Sequence, residues 1–180
     1  MKKLKALCIL FLLAGCSSST PPEPRTYDLG LNAPSTRLPA ARIGAVRAVA
    51  PFDAPDMQYR LAYRNVAEIS PFANSRWAAA PADMLRKQLL RASGDGNGKC
   101  TIAVEIQEFT QVFTAEVESE ARVEMRVSAY VGASARSRQL SVIEAKAGPD
   151  AISGASAFAR AVDRAIGEIG VWVAAQPDCR

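Results

Sequence analysis

The chain has 180 residues, 49% of them apolar and 22% charged, which is the composition of one globular domain with a real hydrophobic core. It contains no histidine, and that absence excludes Ser-His-Asp and Cys-His catalysis, histidine-ligated zinc and imidazole pH switches. The formal charge of +4 rests largely on Lys2, Lys3 and Lys5; removing these three leaves 19 basic against 18 acidic residues, so no concentrated basic face for nucleic acid is expected.

Those lysines open the chain, and the apolar run Ala6–Ala14 follows them. Nine residues are too few to cross a bilayer as a helix, which takes about 20. The pattern predicts a secretory signal peptide over residues 1–15, and Cys8 inside it reads as a small hydrophobe. Leu13-Ala14-Gly15-Cys16 resembles the lipobox of bacterial lipoproteins. That resemblance implies thioether diacylation of Cys16, cleavage before it and acylation of the freed amine. Two or more acyl chains hold a protein firmly, at about 0.8 kcal/mol per buried methylene, where one chain holds it only marginally. Ser17 in place of aspartate resembles the enterobacterial signal for export onward to the outer membrane. Residues 16–25, with "SSSTPPEPR" after the cysteine, have no hydrophobic periodicity and predict a semi-rigid tether of roughly 25–30 Å. The folded domain is expected over residues 26–180.

Tyr27, Leu29 and Leu31 alternate with polar residues and predict a strand over Thr26–Leu31. A second strand is expected over Arg42–Pro51 and a third over Met57–Arg64, where Met57, Tyr59, Leu61 and Tyr63 alternate. Helical periodicity then takes over. Pro81 suits the first helical position, and Met84, Leu85, Gln88, Leu89 and Ala92 share one face. "SGDGNG" (Ser93–Gly98) stops the helix. The stretch "GDGNGK" invites a phosphate- or calcium-loop reading, but phosphate loops run from strand to helix and calcium loops need spaced carboxylates with a closing Glu. A glycine cap and turn fits better.

Ile102, Val104 and Ile106 alternate with polar residues, and the alternation slips phase near Glu108–Phe109. From Ala121 to Val131 the alternation is unbroken, as in a strand with one buried and one wet face. Leu140–Ala147 predicts another strand. Glu105, Glu108, Glu116, Glu118, Glu120 and Glu124 alternate with apolar neighbours, so they read as solvent-facing carboxylates and not as a tuned acid–base pair. Finally Ala155, Phe158, Ala159, Val162, Ile166, Ile169 and Val173 form one stripe of a long helix, with Arg160, Asp163, Arg164 and Glu168 opposite. The order β-β-β-α-β-β-β-α predicts an α+β fold: a mostly antiparallel or mixed sheet with two amphipathic helices packed on one face as a single layer. Cys100 opens a strand and Cys179 is penultimate. In an exported protein they are expected to pair, stapling the end of the last helix to the sheet edge.

Tyr59-Arg60, followed by Arg76-Trp77-Ala78 with Pro81, carries a further likeness. With the lipobox, an early Tyr-x-Leu and a Val-x-x-Pro strand end, the chain resembles the ABC-type transport auxiliary lipoproteins, the PqiC-like family of paraquat-inducible protein C. It departs at Phe72, where a tyrosine is often expected. The resemblance implies an outer-membrane-anchored periplasmic lipoprotein with no reaction and no cofactor of its own. It would dock with an MCE-domain protein and an inner-membrane permease system that moves lipids or other hydrophobic compounds. Homo-oligomer formation is compatible with such a role, and exposed β-edges or the Trp77 region are the expected contact surfaces. An envelope-assembly or scaffolding lipoprotein without lipid cargo is one alternative, because a fold alone does not fix function. A soluble-type lipid carrier is another, and would need an enclosed apolar pocket of roughly several hundred cubic ångströms.

Overall fold

The computed structural model describes residues 23–39, 41–94 and 98–179. The predicted signal peptide, Cys16, most of the predicted tether and the tip of the "GDGNGK" turn lie outside the described residues. Seven strands and two helices follow in chain order: β1 (Arg25–Tyr27), β2 (Ala41–Ala48), β3 (Asp56–Leu61), β4 (Ser70–Trp77), α1 (Pro81–Ser93), β5 (Cys100–Phe113), β6 (Ser119–Val131), β7 (Ser134–Ala145) and α2 (Ala151–Ala174). A short 3-10 turn over Pro177–Cys179 follows α2.

The strands form one mixed sheet in the order β1-β4-β3-β5-β6-β7, with β2 beside β5. β5–β6, β6–β7 and β3–β4 are antiparallel, while β1–β4, β2–β5 and β3–β5 are parallel. Two successive strands share one edge of β5. Ala41–Ala48 lies along Cys100–Ile106, and Gln58–Leu61 continues the line along Thr110–Phe113. The long β5 is therefore the spine. The phase slip read near Glu108 is a β-bulge between Ile106 and Glu108 in the β5–β6 ladder, where one extra residue re-aims every side chain beyond it.

Both helices cover the same face of the sheet, α1 over β2 and α2 over β6 and β7. The predicted α1 stripe, Met84, Leu85, Gln88, Leu89 and Ala92, is buried. Pro81 stands at its start and Gly94 caps its end at φ +63°, a left-handed conformation that glycine adopts without steric cost. α2 begins at Asp150, whose carboxylate accepts from the Ser153 backbone N–H at 2.8 Å in a capping box. The helices scarcely touch each other. Between them runs the segment 28–39, tied down by Ser35, whose N–H and hydroxyl both donate to the Asp163 carboxylate at 2.7 and 2.6 Å. The Leu38 N–H also donates to the Ala92 carbonyl at 3.0 Å.

β4 is the element that periodicity did not reveal. Its sequence "SPFANSRW" holds Pro, Asn and two Ser, poor strand formers, and most of its residues are exposed or half-buried. Its other partner is the three-residue β1. β7 begins six residues before the expected Leu140, because Ser134–Gln139 is exposed on both faces and has no apolar alternation. β1 is shorter than expected: after Tyr27 the chain leaves the sheet through Gly30, and Leu29 turns into the core. β3 stops at Leu61, whose carbonyl accepts from the N–H groups of Arg64 and Asn65 in a turn.

Candidate functional site

The Tyr59-Arg60 and Arg76-Trp77-Pro81 motif is divided by the sheet into two groups. Trp77 ends β4 with 1% of its surface exposed. Its ring meets Phe109 at 5.6 Å and Phe158 at 5.3 Å, both edge-on, and those two rings stack at 4.4 Å. This aromatic cluster joins β4, β5 and α2 into one core. The Trp77 side chain therefore offers no contact surface, which corrects the expectation for that residue, while its neighbour Arg76 stays exposed. Three residues later, the buried Pro81 starts α1. Tyr59 is half-buried and packs on Phe72 at 4.7 Å and Phe113 at 6.1 Å.

Arg60 lies on the opposite face of the sheet, alternate to Tyr59. Its guanidinium donates from Nε and Nη2 to the two Glu108 oxygens at 3.3 and 3.0 Å, and from Nη1 to the Val66 carbonyl at 3.3 Å. With both side chains about four-fifths buried, this forked pair fixes β3 to β5 and holds the 62–69 turn. Arg76 is exposed, in register with Asp56 of β3 and Thr26 of β1.

Of the carboxylates read as solvent-facing, Glu116 and Glu118 lie in the turn between β5 and β6, and Glu108 is largely buried in its pair with Arg60. Glu105 and Glu120 sit on the helix-free face of the sheet. Glu105 pairs with Arg47 at 2.8 Å, and Glu120 with Arg122 at 2.7 Å. The hydrogen bond from Arg47, aided by one from Gln107, holds the Glu105 carboxyl below the usual carboxylate range. Arg47 and Glu105 are in register across β2 and β5, a cross-strand pair of opposite charge, while Glu120 and Arg122 are neighbours on one face of β6. Among the described residues no group of three or more Cys, Asp or Glu side chains is placed to hold a metal ion, and no helix is long and apolar enough to cross a membrane.

Cys100 and Cys179 form a disulfide. It ties the turn after α2 to β5, which is a central strand and not the sheet edge that was expected. The free edges are elsewhere. β1 is three residues long, and β2 is covered by α1, whose Arg86 donates to the Gly44 carbonyl at 2.5 Å. β7 is twelve residues long, pairs only with β6 among the described strands, and exposes Ser134–Gln139 on both faces. Arg136 and Arg138 project from this edge toward Asp178 at 3.8 Å and Glu168 at 3.9 Å, loose exposed pairs. Sequence periodicity missed this edge; the alternation Arg136, Arg138 in a polar run was its signal, since charge commonly guards a free strand.

No family model matches the chain, and no curated protein matches it. Solved structures share its fold, two of them as follows. Protein XCC0632 from Xanthomonas campestris, described by the family model DUF330, is 20% identical with a TM-score of 0.66, over 85% of this chain and 92% of that one. A second, described as an uncharacterized protein, is 13% identical with a TM-score of 0.68, over 84% of this chain and 99% of that one.

Proposed function

We propose that the chain is an outer-membrane-anchored periplasmic lipoprotein that serves as the auxiliary, docking component of an MCE-type intermembrane transport system for lipids or other hydrophobic compounds. Cys16 would carry the anchor. The disulfide supports the export reading, because such bonds persist in oxidising compartments. The observation that carries docking is the free β7 edge. It is a long strand whose outer backbone donors and acceptors have no strand partner among the described residues, with β6 on its other side. An extended segment of an MCE-domain partner would add to it as a further strand, with the main chain supplying affinity and Arg136 and Arg138 setting register.

The test uses the full-length chain made in a Gram-negative envelope. The mass of its N-terminal peptide, the membrane fraction that retains it and the proteins purifying with it are measured together. A triacylated Cys16 in the outer membrane, with an MCE-domain protein bound, is the expected result. An unmodified Cys16, or an anchored chain that retains no MCE-domain protein, contradicts it.

A further inference from the structure

Because α1 and α2 stand apart, the segment 28–39 bridges them without filling the space beneath. A cleft of about 500 Å³ remains there, within the range of small-molecule sites. Leu29, Pro34, Ala159, Val162 and Ile166 make it mainly apolar. Gln88 of α1 also lines it, with 5% of the residue exposed. The Gln88 Oε1 is buried without a hydrogen-bond partner, and a buried unpaired amide oxygen costs about 1–3 kcal/mol.

The charges at the rim are already matched. Arg160 and Arg164 both donate to Glu144, at 2.7 and 2.8 Å, and Asp163 accepts twice from Ser35. Two cations face two anions, leaving no net charge to select an ionic ligand. What is unmet is one buried amide oxygen, that of Gln88, beside an apolar hollow. The terminal amide torsion is soft and two-fold, so either end of Gln88 turns to the cleft, and a hydroxyl, both donor and acceptor, satisfies either.

We infer that this cleft binds a neutral apolar molecule bearing a hydroxyl group, its chain between α1 and α2 and its hydroxyl on the Gln88 amide. This site is separate from the β7 edge and stands without the docking reading. Segment 28–39 is its outer wall, fastened by the Ser35–Asp163 hydrogen bonds.

The experiment incubates the full-length chain with phosphatidylcholine vesicles doped with a diazirine-bearing hexadecanol, followed by irradiation and peptide mapping. Labelling is expected to concentrate in the peptides holding Gln88 and Ala159–Ile166. Ala159→Trp, which fills the hollow from a half-exposed position, should abolish it. Gln88→Leu, which keeps the volume, should lower it about three- to tenfold, the worth of one buried hydrogen bond. The same variant should leave labelling by a diazirine-bearing hexadecane unchanged. Thermal melts establish that each variant is folded, and Gln88→Leu carries the test if Ala159→Trp is not. Labelling spread over other peptides, or an equal response of both probes to Gln88→Leu, overturns the inference.

Discussion

The side chain of Gln111 lies directly under the backbone of Gly154. Gln111, fully buried on β5, shares the two hydrogens of Nε2 among three acceptors, the Ser119 hydroxyl at 2.9 Å and the carbonyls of Gly148 and Asp150 at 3.0 and 3.2 Å. One amide thus fixes the start of β6 and the approach to α2. A Cβ at position 154 would stand 2.7 Å from Gln111 Cδ, inside contact distance. The helix is able to sit this close to the sheet because glycine occupies that turn.

Gly154→Ala is therefore expected to destabilise the domain by about 1–2 kcal/mol, overpacking outweighing the helix-propensity gain. Gly167→Ala in the same helix is the matched control. Its Cβ would meet only Thr36, at 3.4 Å, so it should be neutral or stabilising by up to about 1 kcal/mol. Urea denaturation of both variants checks the pair.

Trp77→Ala should cost about 3–5 kcal/mol, the usual loss for a large buried aromatic. Arg76→Ala, one residue away on the exposed face, should change stability by less than about 0.5 kcal/mol. Thermal melts separate the two, and a folded, fully stable Trp77→Ala domain would refute the core role of the aromatic cluster.

The Cys100–Cys179 bond closes a sequence separation of 79 residues. Chain-entropy reasoning puts its upper contribution at about 4.5 kcal/mol. A Cys179→Ser variant should lose about 2–4 kcal/mol in denaturant titrations, and added reductant should bring the wild type to the same midpoint while leaving the variant unmoved.

Hydrogen bonds from the Ser153 hydroxyl and backbone N–H hold the Asp150 carboxyl below its ordinary value. Its charged form is thus favoured in the folded state, and the stabilisation is present above the unfolded carboxylate pKa. It is lost as pH falls through the lowered folded pKa. Asp150→Ala should cost about 1 kcal/mol at neutral pH, as helix N-caps do. The gap to wild type should close as pH falls below about 4. Stability measured across that range tests the sign.

Alternation and helical stripes located β5, β6, α1 and α2, because each buries one face against the core and that burial is written as apolar periodicity. The bulge after Ile106 was legible for the same reason. β4 and the first half of β7 were not, since hydrogen bonds to neighbours hold them in the sheet with little side-chain burial. The motif around Trp77 was visible as an unusual pattern, but a tryptophan at a core junction and one on a docking surface look alike in a sequence. Burial of Trp77 against Phe109 and Phe158 separates them. The Gln88 cleft had no sequence signal, because a glutamine on an apolar helical face says nothing of the space beside it.

Docking through the β7 edge is tested most directly by photo-crosslinking in the intact envelope. A photoreactive phenylalanine analogue is placed at Arg136, at Arg138 and, as a control, at the exposed Lys87 on α1. The two β7 positions are expected to capture an MCE-domain protein, identified by mass spectrometry, and the Lys87 position is not. Capture from Lys87 with none from Arg136 or Arg138, or no MCE-domain protein at any of the three, would contradict the account.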